Sequence, residues 1–234
     1  MSFLTAEWNN LVMINYTIDP KILEKYVPAG TELDFFEGKC FVSSIGFMFE
    51  NVKLMGFKIP FHTNFEEVNL RFYVRRLENG IWKRGAVFIS EIVPKRAISI
   101  LANALYNEHY STLKMKHHIE VKENVNFYQY EWKRKGKWQK IEIETAKNPI
   151  EIAPDSEAEF ITEHYFGYTK VNAKTTYEYE VRHPRWKQLE VKTNSSVIDF
   201  KNYGEEFEYL NHQKPNSVFL AIGSAISIEG KKVI

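Results

Sequence analysis

The chain has 234 residues, with 31 Lys+Arg against 30 Asp+Glu for a net charge of +1, and one cysteine. That length suffices for one large β domain without covalent staples, and a lone cysteine excludes an internal disulfide and fits a reducing compartment. The balanced charge gives no field to draw nucleic acid or an acidic membrane. No apolar run reaches the length of a membrane span, and the opening Met1–Trp8 lacks the basic and apolar regions of a secretory signal, so the expected location is the cytoplasm.

Aromatic residues make up 15% of the chain, and they favour pleated, half-buried surfaces as β-branched residues do. In chain order, Leu11–Tyr16 reads as a strand. Asp19-Pro20 then supplies an N-cap and a proline at the first helical position for a short helix over Lys21–Tyr26, stopped by Pro28. Strands follow at Phe41–Phe49, Val68–Val74 and Trp82–Val93, and Ala97–Tyr106 has helical spacing. Further strands are expected at His117–Val121, Phe127–Trp132, Trp138–Ile143, Thr175–Val181, Leu189–Ile198 and Val218–Ile228. Between them Ser156 and Glu159 form a capping box for a segment ending near His164. So many strands at this spacing, with no linker or repeat, predict one mainly antiparallel β domain over residues 1–234, a sandwich or barrel.

Asn79-Gly80 is a strong hairpin signal, because a type I′ turn needs positive φ at both central residues. It sets Glu78 against Ile81, and the register then places Val68, Leu70, Phe72 and Val74 on one face with Val87 and Ile89. Glu67, Asn69, Arg71, Tyr73 and Arg75 share the other with Arg84, Ala86, Phe88, Ser90 and Ile92. A face mixing polar and aromatic residues is either solvated or the wall of a pocket.

Pro94-Lys95-Arg96 leads directly into the Ala97–Tyr106 helix. Cations at a helix start oppose the dipole, and broken local rules concentrate at functional sites. Such surroundings disfavour an ammonium, which is the condition for a nucleophilic amine. The same register sets Glu67 against Ile92, placing its backbone roughly 10 Å from that of Lys95. The alternative is a solvated loop corner.

Other candidates read as structural. Cys40 sits in a strand as a small core residue. His117 and His118 are adjacent and point to opposite faces, and no metal motif is present, so no metal or other cofactor is expected. His183-Pro184 with Trp186 fixes a turn. Trp132–Trp138 mixes basic and aromatic residues as single-strand binders do, but reads as an exposed hairpin turning at Lys135-Gly136.

Several segments together resemble the YqjF-like proteins, a family grouped by fold with acetoacetate decarboxylase. They are Trp8 through Val27-Pro28-Ala29-Gly30-Thr31-Glu32-Leu33-Asp34, Phe65–Val74, Ala104-Leu105-Tyr106, His164–Tyr168 and Tyr179–Trp186. The resemblance implies an antiparallel, cone-like β barrel with a few short helices and an internal cavity. It makes Asn69, Arg71, Tyr73, Phe88, Tyr165, Tyr168 and His183 candidate ligand-binding residues. In the decarboxylases a Pro-Lys-Lys motif carries the Schiff-base lysine and a strand glutamate points inward. Pro94-Lys95-Arg96 and Phe65-Glu66-Glu67 resemble these, although Arg96 replaces the second lysine. The expectation is a pocket for a small carboxylate- or carbonyl-bearing molecule. The alternative is a Schiff-base enzyme with Lys95 as nucleophile, assisted by Arg96 and Glu67. Nucleic acid and membrane are not expected partners, and homo-oligomerisation is left open.

Overall fold

The computed structural model describes residues 2–234. β1 (Leu4–Ile18) enters a short helix α1 (Pro20–Leu23), capped by Asp19 Oδ1 accepting from the Lys21 amide and continued by a tighter turn to Tyr26. β2 (Glu32–Leu33), β3 (Cys40–Leu54), β4 (Phe65–Glu78) and β5 (Ile81–Val93) follow, then α2 (Arg96–Tyr106) and β6 (Tyr110–Thr112). β7 (Lys114–Val121), β8 (Asn126–Arg134) and β9 (Lys137–Thr145) form a meander, and β10 (Ile150–Glu151) precedes α3 (Glu157–Thr162). The Glu159 amide donates to the Ser156 hydroxyl at the start of α3, as the capping box predicts. The chain finishes with β11 (Phe166–Lys170), β12 (Thr176–Arg182), β13 (Lys187–Leu189), β14 (Val191–Val197), β15 (Ser217–Ile228) and β16 (Lys232–Val233). Among the described residues, no helix is long and apolar enough to cross a membrane.

Pairing runs β15–β1–β3–β4–β5–β11–β12, and β12 returns to β15 through Val181 opposite Ile228 and Arg182 opposite Ser227. The ring of strands therefore has no free edge along this path, which removes an aggregation-prone row of unpaired backbone groups. Neighbours in the ring are antiparallel except β5 and β11.

A second sheet, β14–β9–β8–β7, lies against the outside of this ring. Alternation along each strand divides the apolar residues between two layers. Val12, Ile14, Val42, Leu70 and Phe72 point outward to meet Tyr128, Tyr130, Trp132, Ile141 and Ile143 of the second sheet. Leu11, Met13, Phe41, Ile45, Phe47 and Tyr73 point inward, joined by Phe160 and Ile161 of α3. Cys40 is buried in the outer layer, and burial pushes its thiol up to about 11. Asn79 and Gly80 both have positive φ (51° and 79°), and Glu78 faces Ile81, so the hairpin tip is the type expected.

The β4–β5 register departs from the sequence expectation at one point. From the tip to Arg71 opposite Phe88 it runs as expected, but Leu70 then faces Ser90, leaving Ile89 as an extra residue in a β-bulge. Val68 rather than Glu67 faces Ile92, and Ile92 packs in the outer layer. The expectation that Ser90 and Ile92 share the Glu67 face is thereby corrected. Their place on the inner face is taken by Glu91, opposite Asn69.

Candidate functional site

The inward face of β4 presents Glu67, Asn69 and Arg71 to a cavity of about 60 Å³ inside the ring. Its walls also include Phe88 and Glu91 of β5, His164, Tyr179 of β12, and His183 with Trp186. At about 10–15 Å³ for each water-sized occupant, the space suits a molecule of a few heavy atoms.

Arg71 is the cation of this chamber. Its Nη2 donates to the Ile161 carbonyl and its Nε to the Tyr73 hydroxyl, each at 3.4 Å, and its guanidinium lies 5.4 Å from the Tyr73 ring centre. Both hydrogen bonds are long. Among the described residues, no carboxylate lies within ion-pairing distance of it. Tyr73 is held in turn by donating to Ser43 Oγ at 2.8 Å, and Ser43 donates to Asn15 Oδ1 at 2.6 Å.

His164 follows α3 and packs its ring 4.7 Å from Tyr73 and 5.0 Å from Phe160. Its Nε2 lies 3.1 Å from Asp34 Oδ2, which also accepts from Arg84 Nε at 2.7 Å. Burial holds the imidazole down to about 4, against the opposing effect of Asp34. The ring is therefore neutral at pH 7, with Nε2–H donating to Asp34. The other nitrogen, Nδ1, is buried without a partner. Burial alone would raise Asp34, but the bonds from His164 and Arg84 outweigh it and hold the carboxyl below its ordinary range. This carboxylate–imidazole pair leaves a proton acceptor on a cavity-lining side chain.

A second polar group lies deeper along the same wall. Glu67 accepts from Asn69 Nδ2 at 3.0 Å and from the Tyr110 hydroxyl at 2.9 Å. Glu108 Oε1 accepts from Thr169 Oγ1 at 2.7 Å and the Tyr179 hydroxyl at 2.8 Å. Glu91 lies with them, and its Oε2 is buried without a partner. Burial pushes all three carboxyl groups up, Glu67 and Glu108 to about 7, and repulsion from Glu108 adds to the rise of Glu67 and Glu91. They share protons as one system.

The residues singled out from the sequence separate into groups. Glu67, Asn69, Arg71, Phe88 and His183 line the cavity. Tyr73 stands behind Arg71 in the inner core. Tyr165 packs its ring on His183 (4.7 Å) and donates to Glu163. His183 stacks on Trp186 at 4.0 Å, so its ring is packed as expected, while residues 183–186 run as an irregular link between β12 and β13 rather than as a turn. Tyr168 points the other way, into the outer layer, with its hydroxyl donating to the Lys83 carbonyl. Lys95 is the N-cap of α2, half-buried, and Arg96 is exposed. Neither is among the residues lining the cavity, and the Lys95 charge acts on Glu66, whose carboxylate faces His117 of the second sheet at 3.3 Å.

Sequence reasoning did not single out Asp34, Glu91, Glu108, Tyr110 or Tyr179 as site residues. The bulge conceals Glu91, and Glu108 and Tyr110 follow Asn107, whose left-handed backbone (φ 58°) ends α2 and turns the chain back to β5. Asp34 reaches the site because its backbone amide bonds to the Tyr73 carbonyl.

Comparison with solved structures places the fold. The enduracididine biosynthesis enzyme MppR, solved in complex with pyruvate, superposes over 100% of this chain and 91% of its own at a TM-score of 0.69 and 9% identity. Acetoacetate decarboxylase from Legionella pneumophila superposes over 98% of this chain and 86% of its own, at a TM-score of 0.64 and 15% identity. At these identities the likeness is one of fold. In sequence, the uncharacterized protein YqjF of Bacillus subtilis (strain 168) is 29% identical over 195 residues, covering 81% of this chain and 76% of that protein. Residues 5–225 match the model of the DUF2071 family, described as an uncharacterized conserved protein, and the chain belongs to that family.

Proposed function

We propose that the ring interior binds a small organic molecule bearing a carboxylate or a carbonyl. Arg71 carries this reading: a guanidinium in a largely enclosed chamber, with only two long hydrogen bonds and, among the described residues, no carboxylate within ion-pairing distance, beside the unpartnered Nδ1 of His164. A ligand carboxylate would give Arg71 the bidentate partner that its planar fork matches. A ligand hydroxyl or enol would donate to Nδ1. The complex of MppR with pyruvate supports the size and class of ligand by analogy of fold. The Schiff-base alternative is not carried forward, because no lysine is among the residues lining this cavity.

The test is calorimetry and thermal denaturation of the full chain with pyruvate, 2-oxobutyrate and acetate. Saturation of the native state at a hundred times Kd stabilises it by about 2.7 kcal/mol. Arg71→Met should weaken binding by roughly ten- to a hundred-fold, the worth of a charge-assisted hydrogen bond. No heat and no stabilisation by any of these acids at millimolar concentration would sink the reading.

A further inference from the structure

A second cavity, of about 100 Å³, adjoins the first on the far side of Glu91, Tyr110 and Tyr179, which line both. Its remaining walls are almost wholly apolar. α2 contributes Ile98, Leu101 and Ala102, and the ends of β3 and β4 contribute Val52 and Phe65. Two observations meet here. The carboxyl groups of Glu91 and Glu108 stand at one end of an apolar chamber. Glu91, only 3% exposed, keeps an oxygen with no hydrogen-bond partner. A buried acceptor left unmade costs free energy that a donor from a ligand would recover.

We propose that this second cavity is a binding site for a small amphiphilic amine, its ammonium received by the free oxygen of Glu91 and its apolar chain by the walls around Leu101 and Phe65. The class of ligand follows from the walls. An anion would meet the carboxyl groups of Glu67, Glu91 and Glu108. A metal ion does not fit, since these groups are not disposed as a set of ligands. A neutral alcohol would gain the apolar contacts but only a weaker hydrogen bond. The volume holds a chain of about seven to ten heavy atoms at 10–15 Å³ for each water-sized occupant.

Protons are linked to this binding. Glu91 faces Glu67 from β4, Glu108 from the turn after α2, Tyr110 from β6 and Tyr179 from β12. Arg71 acts on the cluster from the first chamber and His62 lies on the wall of the second. An arriving ammonium favours the ionised carboxylates and displaces a proton, so affinity rises with pH while the amine itself stays charged, as an alkylamine does below about pH 10.

Hexylamine, hexan-1-ol and hexanoate are to be titrated into the full chain by calorimetry, with methyl NMR reporting the site. Hexylamine should bind at least about ten-fold more tightly than hexan-1-ol at pH 8, the worth of one charge-assisted hydrogen bond, and more tightly at pH 8 than at pH 6. Glu91→Gln should abolish the preference for amine over alcohol while leaving the alcohol's affinity unchanged. Ala102→Trp, which fills the chamber from α2, should abolish binding of both, and it tests the site even if Glu91→Gln fails to fold. Arg71→Met, which removes a cation from beside the cluster, should not weaken hexylamine binding, so this proposal and the carboxylate reading fail separately. Alcohol or hexanoate binding as tightly as the amine, or no binding of hexylamine at all, overturns the assignment.

Discussion

His164 Nε2 lies 3.1 Å from Asp34 Oδ2, and the same oxygen accepts from Arg84 Nε, so a single carboxylate oxygen fixes both the orientation and the tautomer of a buried imidazole. Asp34→Ala would leave the Nε2–H without its acceptor and Arg84 without its partner. The expected cost is about 1–3 kcal/mol, the penalty for stranding a buried donor, read from urea denaturation at pH 7. Nitrogen-15 shifts of His164 should report a neutral Nε2–H ring throughout pH 5.5–8 in the unsubstituted protein. A ring that titrates within that range would contradict the geometry.

The three buried carboxyl groups make stability fall as pH rises from the unfolded glutamate value toward the folded one. In the unfolded chain a glutamate ionises near pH 4.3, whereas Glu67 and Glu108 hold their protons to about 7 when folded, and Glu91 is raised as well. Their contribution is present below the unfolded value and is lost as pH rises through the folded one. His164 works in the opposite sense, but only between about 4 and 6.5. From pH 6 to pH 8 the denaturation midpoint should therefore fall, by on the order of 2 kcal/mol if two groups ionise in that interval. Glu67→Gln should flatten the slope. A midpoint that rises over this interval would show that the cluster is already ionised.

Gly167 is where β11 passes the Tyr179 ring. A Cβ there would stand 2.1 Å from Tyr179 Cζ, well inside contact distance. Gly167→Ala should destabilise by about 1–3 kcal/mol, the usual range for overpacking. It should also push the tyrosine hydroxyl away from Glu108, weakening hexylamine binding. Thermal melting and the amine titration check the two effects independently.

Trp132 joins the outer sheet to the ring and is fully buried. Trp132→Ala should cost about 3–5 kcal/mol, as large-to-small core substitutions do. Because this side chain lies in the outer layer, the folded fraction should keep its affinity for pyruvate. A selective loss of affinity at constant folded fraction would tie the second sheet to the chamber.

Much of the architecture was legible in alternation and turn chemistry. Nine of the ten strands expected from the sequence are present as single strands, Leu189–Ile198 being divided between β13 of the ring's sheet and β14 of the outer sheet, and the Asp19 cap, the Ser156 capping box and the Asn79-Gly80 and Lys135-Gly136 turns form as their residue types require. The division into a ring and an outer sheet was not legible. Tyr128, Tyr130 and Trp132 alternate just as a ring strand would, and periodicity gives the buried face but not the partner that buries it. β11 was missed because it is short and contains a glycine. Within the site, β4 was read correctly through Glu67, Asn69 and Arg71, whereas β5 was read correctly only as far as Phe88. Lys95 attracted interest through cations at a helix start, and the Glu66 carboxylate answers that charge from the outer face.

The supernumerary Ile89 is what turns Glu91 inward, since an unbroken ladder of the same length would set Glu91 against Val68 on the apolar outer layer. Deleting Ile89 would remove the bulge yet keep Phe88 opposite Arg71 and Glu91 opposite Asn69, so the acid of the shared wall would stay where it is. Relatives that lack this one residue would then keep the same chamber lining, whereas relatives of equal length whose strand pairs without a bulge would hold a different one.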